Sequence, residues 1–593
     1  MGHLNAVTDR KLTLTEVLDW LEADGVLSAD KAKMLRQLAA GGAFADRHPV
    51  DVIAGRGWFD ARDANKPLTT EALSRWLASR FDLPYQHVDP LKVDVRRTTE
   101  VMPYAYAVRF SALPLSVSKT EITVGTSEPL LRGWERELEH VQGRKLKRVF
   151  VNPEDLQRYL VEFYSISKSV FGAGREQGAT SAGKLQSLEQ MLELGRSGQL
   201  DANDQHVVSI VDWLLQYAFD QRASDIHIEP RREHANIRFR IDGVMQPVYE
   251  LPAAVHAPVL SRLKILGRMD IAEKRRPQDG RLKTRAPSGD EVELRLSTMP
   301  TAFGEKLVMR IFDPVVLLKN FRELGFDADD EATWRAMAEH PHGVVLVTGP
   351  TGSGKTTTLY STLKQVARPE VNVCTIEDPI ELVEPAFNQM QVQSSIGLDF
   401  ASGVRTLLRQ DPDVIMVGEI RDAETAAMAV QAALTGHLVL STLHTNDAPG
   451  AITRLIELGV PAYLLQSTVR GVIAQRLVRT LCPHCKVPGP VDPAEWEALV
   501  APFKAPLPKQ VYRAVGCLEC RNTGYLGRIG LYEMLSMTPA LREHLISGAG
   551  GDALRRAAWK DGLKPLRIRG AHKVAEGQTT IAEVLRVAPP GED

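Results

Sequence analysis

The run from Gly349 to Thr356, GPTGSGKT, has the composition and spacing of a loop that binds nucleotide phosphates. The β-rich run Val344–Val347 precedes it, and Thr356–Val366 follows with the pattern of a helix. Between a strand and a helix, the loop amides and the helix N-terminus direct positive dipole at the β- and γ-phosphates. Lys355 adds a positive charge there, and the Thr356 hydroxyl is a ligand for Mg²⁺. The residues predicted to contact ATP are Gly349, Pro350, Thr351, Gly352, Ser353, Gly354, Lys355, Thr356 and Thr357.

Three other apolar runs end in an acidic residue or a histidine. In an open parallel sheet, functional side chains gather at the carboxyl ends of the strands. We therefore expect these side chains to lie at the same sheet edge as the phosphate-binding loop. The runs and the side chains after them are Val371–Ile376 with Glu377, Val414–Val417 with Glu419, and Leu438–Leu443 with His444.

Glu419 is the candidate for the carboxylate that orients or deprotonates the water attacking the γ-phosphate. Asp413 is its competitor, but it lies at the amino end of the same predicted strand, which favours Glu419. The position where an acidic metal ligand of the Walker B motif usually stands is Gly418 here. Mg²⁺ is therefore expected on Thr356 and waters, with Glu377 or Glu419 as a further ligand.

Two of the side chains at this edge have alternative interpretations. His444 either senses the γ-phosphate or stabilises the loop that follows its strand. Glu377 is either a catalytic or metal-binding acid or part of a capped turn between strand and loop. His437 stands at the start of its strand and is expected to be structural.

Four of the five cysteines form two CxxC pairs, Cys482 with Cys485 and Cys517 with Cys520. In a reducing compartment this arrangement indicates a metal site rather than disulfides. Because four thiolates leave no open coordination position, the pattern predicts a structural zinc. The 31 residues between the pairs exceed the usual spacing, but a looped insertion closes at little entropic cost. His484 is an alternative ligand.

The length and patterning of the chain indicate several domains. At 593 residues it is too long for one hydrophobic core. A Gly-, Ser- and Gln-rich stretch interrupts the regular patterns after residue 165. Further on, short apolar strands alternate with helices, which predicts a mostly parallel α/β core. The predicted divisions are 1–165 for an N-terminal α/β region, 166–204 for a flexible linker, 205–320 for a smaller α+β domain and 321–593 for the core, with a zinc module near 480–525.

Charge and apolar patterning restrict the environment and the partners. With 72 basic and 74 acidic side chains, the net charge of −2 gives no general attraction to nucleic acid. No apolar run approaches the roughly 18 residues of a membrane span. The first residues lack the apolar segment of a signal peptide. We expect a cytoplasmic protein that reaches a membrane through partners, and no nucleic-acid partner.

Taken together, the motifs resemble those of the secretion superfamily ATPases, which power type II secretion and type IV pilus assembly. The family's Asp box, atypical Walker B motif and His box are matched by Thr375–Glu381 (TIEDPIE), Gly418-Glu419 and Leu440–Asp447 (LSTLHTND). Its smaller domain is matched by Ala223–Glu229 (ASDIHIE), Ile237–Val244 (IRFRIDGV) and Arg276–Arg281 (RPQDGR). Its zinc module is matched by the CxxC pairs followed by Gly524–Glu533 (GYLGRIGLYE).

The resemblance implies a fold and a way of working. The fold is a RecA-like P-loop ATPase core, preceded by the smaller α+β domain and an N-terminal docking region. Six copies form a homohexameric ring whose ATP sites lie between the smaller domain and the core. The ring hydrolyses ATP to ADP and phosphate and acts on inner-membrane platform proteins to push pilin-like subunits outward.

Arginines of the smaller domain are candidates for completing the site. Along Ile237–Ile241, alternation places Arg238 and Arg240 on one face, opposite the apolar side chains. Guanidiniums on an exposed face suit a γ-phosphate reached from outside the core. The family uses arginines of this domain in that way, and Arg238 matches best, whereas Arg240 is equally consistent with a solvated face. A second family arginine falls near Ala253, which leaves that contact open.

The N-terminal region resembles the family's platform-docking domain. In some relatives this domain binds a cyclic dinucleotide through repeated Arg-Leu-Gly segments. Here the corresponding segments are Lys11-Leu12-Thr13 and His48-Pro49-Val50, which lack the arginine and the glycine. We therefore expect no binding of a cyclic dinucleotide.

Every motif named above is shared by motors of type II secretion, type IV pilus extension and competence. The zinc module argues against a pilus retraction motor, which lacks it in the family pattern. The near-neutral charge argues against a nucleic-acid translocase. We favour a motor for the pseudopilus of type II secretion, with type IV pilus extension as the alternative.

Overall fold

The computed structural model describes residues 9–39, 44, 47–88, 93–172, 203–286, 289–312, 319–546 and 551–590. Apart from its two ends, the predicted linker at 166–204 therefore lies outside the described residues. Among the helices of the described part, none has the length and apolar character needed to cross a membrane. Separate sheets with flanking helices confirm the α/β class.

Residues 9–80 form a mostly helical unit with its own core. Thr13 and Glu16 form a capping box at the start of its first helix. The apolar side chains of this unit make a separate cluster, which also includes Phe150. Its helices are Leu14–Ala23, Ala29–Ala39, Pro49–Ala54 and Thr70–Arg80, and its strands are Phe59–Asp60 and Asp63–Pro67.

Residues 93–172 surround a three-stranded sheet. Its first two strands, Ala112–Val117 and Glu121–Thr126, form an antiparallel hairpin. The third strand, Lys145–Phe150, runs parallel to the second. A 20-residue helix spans Pro153–Gly172. The other helices are Val95–Val101, Tyr104–Phe110 and Glu135–Gln142.

A six-stranded antiparallel sheet forms the smaller α+β unit. The alternation along Ile237–Ile241 is confirmed, because its apolar side chains are buried while Arg238 and Arg240 point to the other face. A turn at Asp242 and Gly243 joins two strands, and both residues have positive φ. In spatial order the strands are Val244–Pro252, His234–Ile241, Ala223–Pro230, Gly304–Phe312, Glu291–Thr301 and Gln278–Arg285, with helices Gln205–Asp220 and Ala253–Leu266.

These last two units share one hydrophobic core. Tyr159 and Phe163 from the helix Pro153–Gly172 are buried in the same apolar cluster as Tyr217 and Phe239 of the smaller unit. The division of the chain at residue 165 stays a prediction, but the segments on its two sides pack against each other.

The C-terminal core is a seven-stranded sheet with both faces covered. Alternate residues of the strand Gly343–Thr348 enter two different apolar clusters, which fits a buried strand of a parallel sheet. Neighbouring strands pair in parallel except for the last pair, which is antiparallel. In spatial order they are Asn388–Gln391, Val373–Glu377, Val414–Val417, Leu438–Leu443, Gly343–Thr348, Val469–Leu481 and Tyr525–Ser536.

Helices surround this sheet, and a small module is inserted between its last two strands. The insertion holds the hairpin Val487–Gly489 with Val511–Arg513 and the helix Pro493–Val500. The helices of the core are Phe321–Leu324, Ala328–Ala338, Lys355–Val366, Phe400–Leu407, Ala423–Leu434, Ala448–Glu457, Ala462–Thr468, Pro539–Ile546, Gly551–Lys560, Leu566–Ala575 and Ile581–Val587, with a 3₁₀ turn at Ser394–Ile396.

Candidate nucleotide-binding site and metal centre

The phosphate-binding loop lies where the sequence predicts it, between the strand Gly343–Thr348 and the helix Lys355–Val366. Gly354 caps the helix with a φ of 86°, a conformation that residues with a Cβ rarely adopt. Gly349 has no space for a side chain, because a Cβ there would lie 2.5 Å from the Gln475 carbonyl oxygen. The turn between these glycines faces solvent and is open to a ligand.

Lys355 is buried at the start of the helix. Its Nζ donates to the carbonyl oxygens of Gly349 and Pro350 at 2.7 and 3.1 Å. Burial lowers the pKa of Lys355 to about 8; Glu419 opposes this shift and Arg476 adds to it. The ammonium group is therefore held by carbonyl dipoles at a point where phosphate oxygens would supply full negative charge.

Three hydroxyl side chains line the loop and the first turn of the helix. The Ser353 hydroxyl is buried and has no hydrogen-bond partner among the described residues. Thr356 and Thr357 are half-buried in the first turn. An unsatisfied buried hydroxyl costs free energy that a phosphate oxygen would recover. The residues present thus fit the phosphates of a nucleotide, with the Thr356 hydroxyl available to Mg²⁺.

Glu419 and His444 come together beside the loop. Glu419 follows the strand Val414–Val417, and its Oε2 lies 3.5 Å from Nε2 of His444. Its Oε1 lies 2.6 Å from a guanidinium nitrogen of Arg421. The carboxylate also acts electrostatically on Lys355. A mostly buried carboxylate at this sheet edge is suited to orient a water or accept its proton.

The competing acid Asp413 lies at the opposite end of the same strand. Its Oδ2 accepts a hydrogen bond from the backbone N–H of Asn372 at 2.7 Å. This contact joins two neighbouring strands at their amino ends. Asp413 is therefore a structural residue and does not lie among the strand ends that face the loop.

Glu377 is buried at the end of the strand Val373–Glu377, with partners for both carboxylate oxygens. Tyr360 donates its hydroxyl to Oε2 at 2.6 Å, and Thr375 donates to Oε1 at 2.7 Å. The side-chain amide of Gln389 also donates to Oε1, at 3.2 Å. This geometry favours the structural alternative for Glu377, and its catalytic role stays a prediction.

Gln475 and Arg476 support the site, although neither belongs to a motif recognisable in the sequence. Gln475 donates to the Ser353 carbonyl at 2.7 Å and accepts from the Thr358 hydroxyl at 2.8 Å. Arg476 donates to the backbone and side-chain oxygens of Asn446 at 3.0 and 3.1 Å. Together they fasten the phosphate-binding loop to the loop that carries His444. Two adjacent polar residues inside an apolar strand were the available signal.

Arg295 of the smaller unit contacts the core. It donates to the Ile380 carbonyl at 2.6 Å and lies 3.2 Å from the Glu381 carboxylate. Burial raises the pKa of Glu381, and Arg295 opposes that shift. Arg238 instead donates to Glu229 within its own sheet, at 2.7 Å. The role predicted for Arg238 therefore stays a prediction, and Arg295 is a second candidate.

The four cysteines of the two CxxC pairs lie together, with all four Sγ atoms within 4.8 Å of one another. The pairs Cys482–Cys517 and Cys485–Cys520 are each separated by 3.8 Å between sulfurs, and Cys517–Cys520 by 3.7 Å. Zinc–sulfur bonds of about 2.3 Å in a tetrahedron place the sulfurs roughly 3.8 Å apart. The cluster therefore fits a structural zinc, and His484 does not belong to it.

Backbone amides around the cluster point at its sulfurs. The N–H groups of Cys517 and Gly524 donate to Cys520 Sγ, each at 3.2 Å. The N–H of Gly516 donates to Cys485 Sγ at 3.3 Å. Such bonds favour thiolates, the form in which cysteine binds metal. Both the distances and the donor set match the prediction from the sequence.

Comparison with known proteins gives two family matches. The family model described as type II/IV secretion system protein matches residues 201–586, which is more than half of the chain. A model of the MshEN domain matches residues 81–170. The first match includes the phosphate-binding loop, Glu419, His444 and the four cysteines.

Curated relatives cover nearly the whole chain. The type IV pilus assembly ATPase TfpB of Acinetobacter baylyi is 53% identical over 91% of this chain and 92% of its own length. The type IV pilus assembly ATPase PilB of Myxococcus xanthus is 38% identical over 87% and 91%. The type II secretion system ATPase E of Vibrio cholerae is 39% identical over 83% and 97%. With its motifs brought together in one site, the chain therefore belongs to the family of type II and type IV secretion and pilus assembly ATPases.

Proposed function

We propose that the chain hydrolyses ATP as the motor subunit of a homohexamer that extends a type IV pilus. The observation that supports hydrolysis is the position of Glu419, next to His444 and in electrostatic contact with Lys355 of the phosphate-binding loop. A protein that only binds nucleotide does not need a buried acid at that point.

Each residue has a distinct task in this proposal. The loop amides and Lys355 hold the β- and γ-phosphates, and Glu419 orients the attacking water and accepts its proton. His444, whose Nε2 lies 3.5 Å from Glu419 Oε2, fixes the position of the carboxylate. Mg²⁺ bound at the Thr356 hydroxyl would neutralise charge that develops on the phosphate oxygens. Arginines from the smaller unit complete the site as it closes over the nucleotide.

Replacing Glu419 tests the hydrolysis. We expect Glu419→Gln to lower the rate of phosphate release by at least roughly a hundredfold, because general base catalysis contributes about that much. Binding of a fluorescent ATP analogue should be retained, since the loop is unchanged. Asp413→Asn is the matched control at the other end of the strand and should hydrolyse ATP normally. Normal turnover by Glu419→Gln would remove the assignment.

Pilus extension is the pathway we propose in place of the type II secretion favoured from the sequence, because the motifs are common to both kinds of motor. The two pilus assembly relatives align with 91% and 87% of the chain, so their likeness includes the N-terminal region. As in the family, the motor would work in the cytoplasm against inner-membrane platform proteins, through that region. Deleting the gene in its own host should abolish surface pili and leave secretion of folded enzymes intact.

The pseudopilus motor of type II secretion remains the second candidate. The ATPase E of Vibrio cholerae is 39% identical to the chain and aligns with 97% of its own length. The same deletion strain distinguishes the two proposals. Loss of exported enzymes with normal pili would favour type II secretion, and complementation with the Glu419→Gln chain should fail in either case.

A further inference from the structure

We propose that the zinc module has a second role, as the docking surface for the N-terminal region of the chain. The contact is made by Arg521, the residue directly after the zinc ligand candidate Cys520, and by Glu162 of the helix Pro153–Gly172. In this role the metal holds the N-terminal region against the core by fixing the turn that carries Arg521.

Arg521 and Glu162 form a buried ion pair between distant parts of the chain. Their side chains are only 5% and 2% exposed, and Arg521 donates to Glu162 Oε1. The other oxygen of Glu162 accepts from the Tyr217 hydroxyl at 2.8 Å. Removing one partner of such a pair leaves a buried charge without its counter-charge, which is far more costly than losing a surface pair.

Side chains of the smaller unit accept further hydrogen bonds from the Arg521 guanidinium. Arg521 donates to the side-chain oxygens of Gln246 at 2.8 Å and Gln221 at 2.9 Å, and to the Tyr217 hydroxyl at 3.1 Å. Three parts of the chain thus meet on one side chain: the N-terminal region, the smaller unit and the zinc module. Next to Arg521, Leu518 packs against the core that the first two share.

The metal site determines where Arg521 points. Arg521 and its neighbour Asn522 have φ values of 53° and 59°. These are left-handed backbone conformations, which are less favourable for residues with a side chain than for glycine. The N–H of Asn522 donates to the carbonyl of Cys517 at 2.8 Å, which closes the turn over the second CxxC pair. A metal that ties Cys517 to Cys520 holds this turn closed, and with it the direction of the Arg521 side chain.

Beside the ion pair, the seam between the smaller unit and the module is not filled by apolar packing. It leaves a crevice of about 260 Å³ lined by residues that include Arg222, Asp242 and Arg479. Arg222 lies 4.0 Å from Asp242, and Arg479 lies 2.6 Å from Glu583, so these cations have acids of their own. The crevice is therefore a polar seam rather than an anion site, and Arg521 is among the residues that line it.

The same module is attached directly to the nucleotide site. The strand Val469–Leu481 carries Gln475, which holds the phosphate-binding loop, and it ends next to Cys482. A shift of the loop is thus connected to Arg521 through one strand and the metal cluster. We call this connection, from the phosphate-binding loop through the strand and the metal cluster to Arg521, the relay. Unlike the docking contact, the relay rests on the proposed binding of ATP.

Hydrogen exchange of the full chain tests the docking. We expect Arg521→Gln to speed amide exchange in residues 153–164 by at least roughly tenfold, because a broken buried pair permits local opening. Metal analysis should still find zinc, since all ligands remain. Glu162→Gln should give the same exchange without altering the zinc module. Arg513→Gln, an exposed arginine of that module, is the matched control and should leave exchange unchanged.

Two comparisons complete this test. The double variant Arg521→Gln/Glu162→Gln should exchange no faster than either single variant, because both remove the same contact. Stripping zinc with a chelator should speed exchange of residues 153–164 in the unmodified chain and add nothing in Arg521→Gln. Unchanged exchange in both single variants would overturn the docking contact, and unchanged exchange after zinc removal would overturn the role of the metal.

A non-hydrolysable ATP analogue tests the relay separately. Protection of residues 349–358 reports that the analogue is bound, in the unmodified chain and in Arg521→Gln alike. We expect binding to change exchange in residues 153–164 of the unmodified chain only. An equal change in both chains would overturn the relay. Absence of protection at 349–358 would count against the proposed function, while the docking contact is decided by the first experiment.

Discussion

The ammonium group of Lys355 is buried against two carbonyl oxygens, which lowers its pKa to about 8. Phosphates favour the charged form, so bound ATP raises this pKa. In the free protein, Lys355 loses its proton as the pH rises through about 8. Above that pH, ATP binding requires that Lys355 take up a proton again. ATP affinity is therefore full below that pH and should fall about tenfold between pH 7 and pH 9.

Calorimetric titrations with a non-hydrolysable analogue across this pH range measure the effect. Lys355→Arg is the control, because its guanidinium stays charged throughout and its weaker affinity should not change with pH. If the ATP affinity of the unmodified chain did not change with pH, Lys355 would be charged throughout this range. Burial would then not lower its pKa.

Arg295 and Arg238 make different predictions for hydrolysis. Arg295 bridges the smaller unit to Ile380 and Glu381 of the core, whereas Arg238 is paired with Glu229. We expect Arg295→Ala to slow phosphate release at least about tenfold with a smaller effect on ATP affinity, since it removes a contact that positions the site. Arg238→Ala should slow phosphate release by a smaller factor than Arg295→Ala.

The control for this pair is Arg240→Ala, on the same strand face as Arg238, where Arg240 lies 3.6 Å from Asp225 and donates to the Gly243 carbonyl. Steady-state phosphate release and analogue binding are measured for all three variants. Loss of turnover in Arg238→Ala with normal turnover in Arg295→Ala would reverse the order and support the arginine chosen from the resemblance.

At the residue scale, the sequence located side chains whose place depends on a local motif. The phosphate-binding loop, Glu419 and His444 each follow a strand, so strand direction alone brings them to one edge. Gln475 and Arg295 were missed because their contacts are made by residues more than a hundred and more than eighty positions away. The spacing of apolar and polar residues along the sequence gives no sign of such a distant contact.

At the scale of elements, periodicity predicted the strands of the core and the helix after the loop. The parallel order of these strands followed from the alternation with helices. The strand Gln278–Arg285 was not predicted, because its polar sequence has little of the alternation that marks a half-buried strand. The insertion between the CxxC pairs was predicted as a loop and holds a hairpin and a helix.

The zinc module makes the prediction that belongs to this scale. Cys517→Ser should lose the metal, because a neutral hydroxyl is a poor replacement for a thiolate. The unfolding temperature should then fall by at least about 5 °C, since metal binding contributes directly to folding. Cys374→Ser is the control: this cysteine is buried in the core sheet, far from the CxxC pairs in sequence, and the variant should keep its zinc.

Metal analysis after gel filtration, together with thermal unfolding, distinguishes these variants. The unmodified chain and Cys374→Ser should carry about one zinc per chain, and Cys517→Ser close to none. Less than about one zinc per two unmodified chains would contradict the structural zinc.

For the whole molecule, the arrangement of hydrophobic cores was the part that the sequence did not predict. The stretch of polar and small residues predicted a linker at 166–204, with a single N-terminal region, 1–165, before it. The structure instead has one core formed by residues 9–80 together with Phe150, and another that joins residues 88–164 to residues 207–309. The shapes of the apolar faces and buried pairs such as Arg521 with Glu162 decide which faces meet. The spacing of apolar residues along the sequence does not decide it.

Two truncated chains test this division of the molecule. A chain that starts at residue 81 keeps the shared core and, of the N-terminal cluster's fully buried side chains, only Phe150. Its main unfolding transition should therefore stay within about 2 °C of that of the full chain. A chain that starts at residue 203 loses half of the shared core and exposes Tyr217, Phe239 and their neighbours to solvent. It should unfold at least roughly 5 °C lower and bind a hydrophobic dye. Retained ATP binding shows that the core is folded in both, and equal unfolding temperatures would mean that the shared core adds no stability.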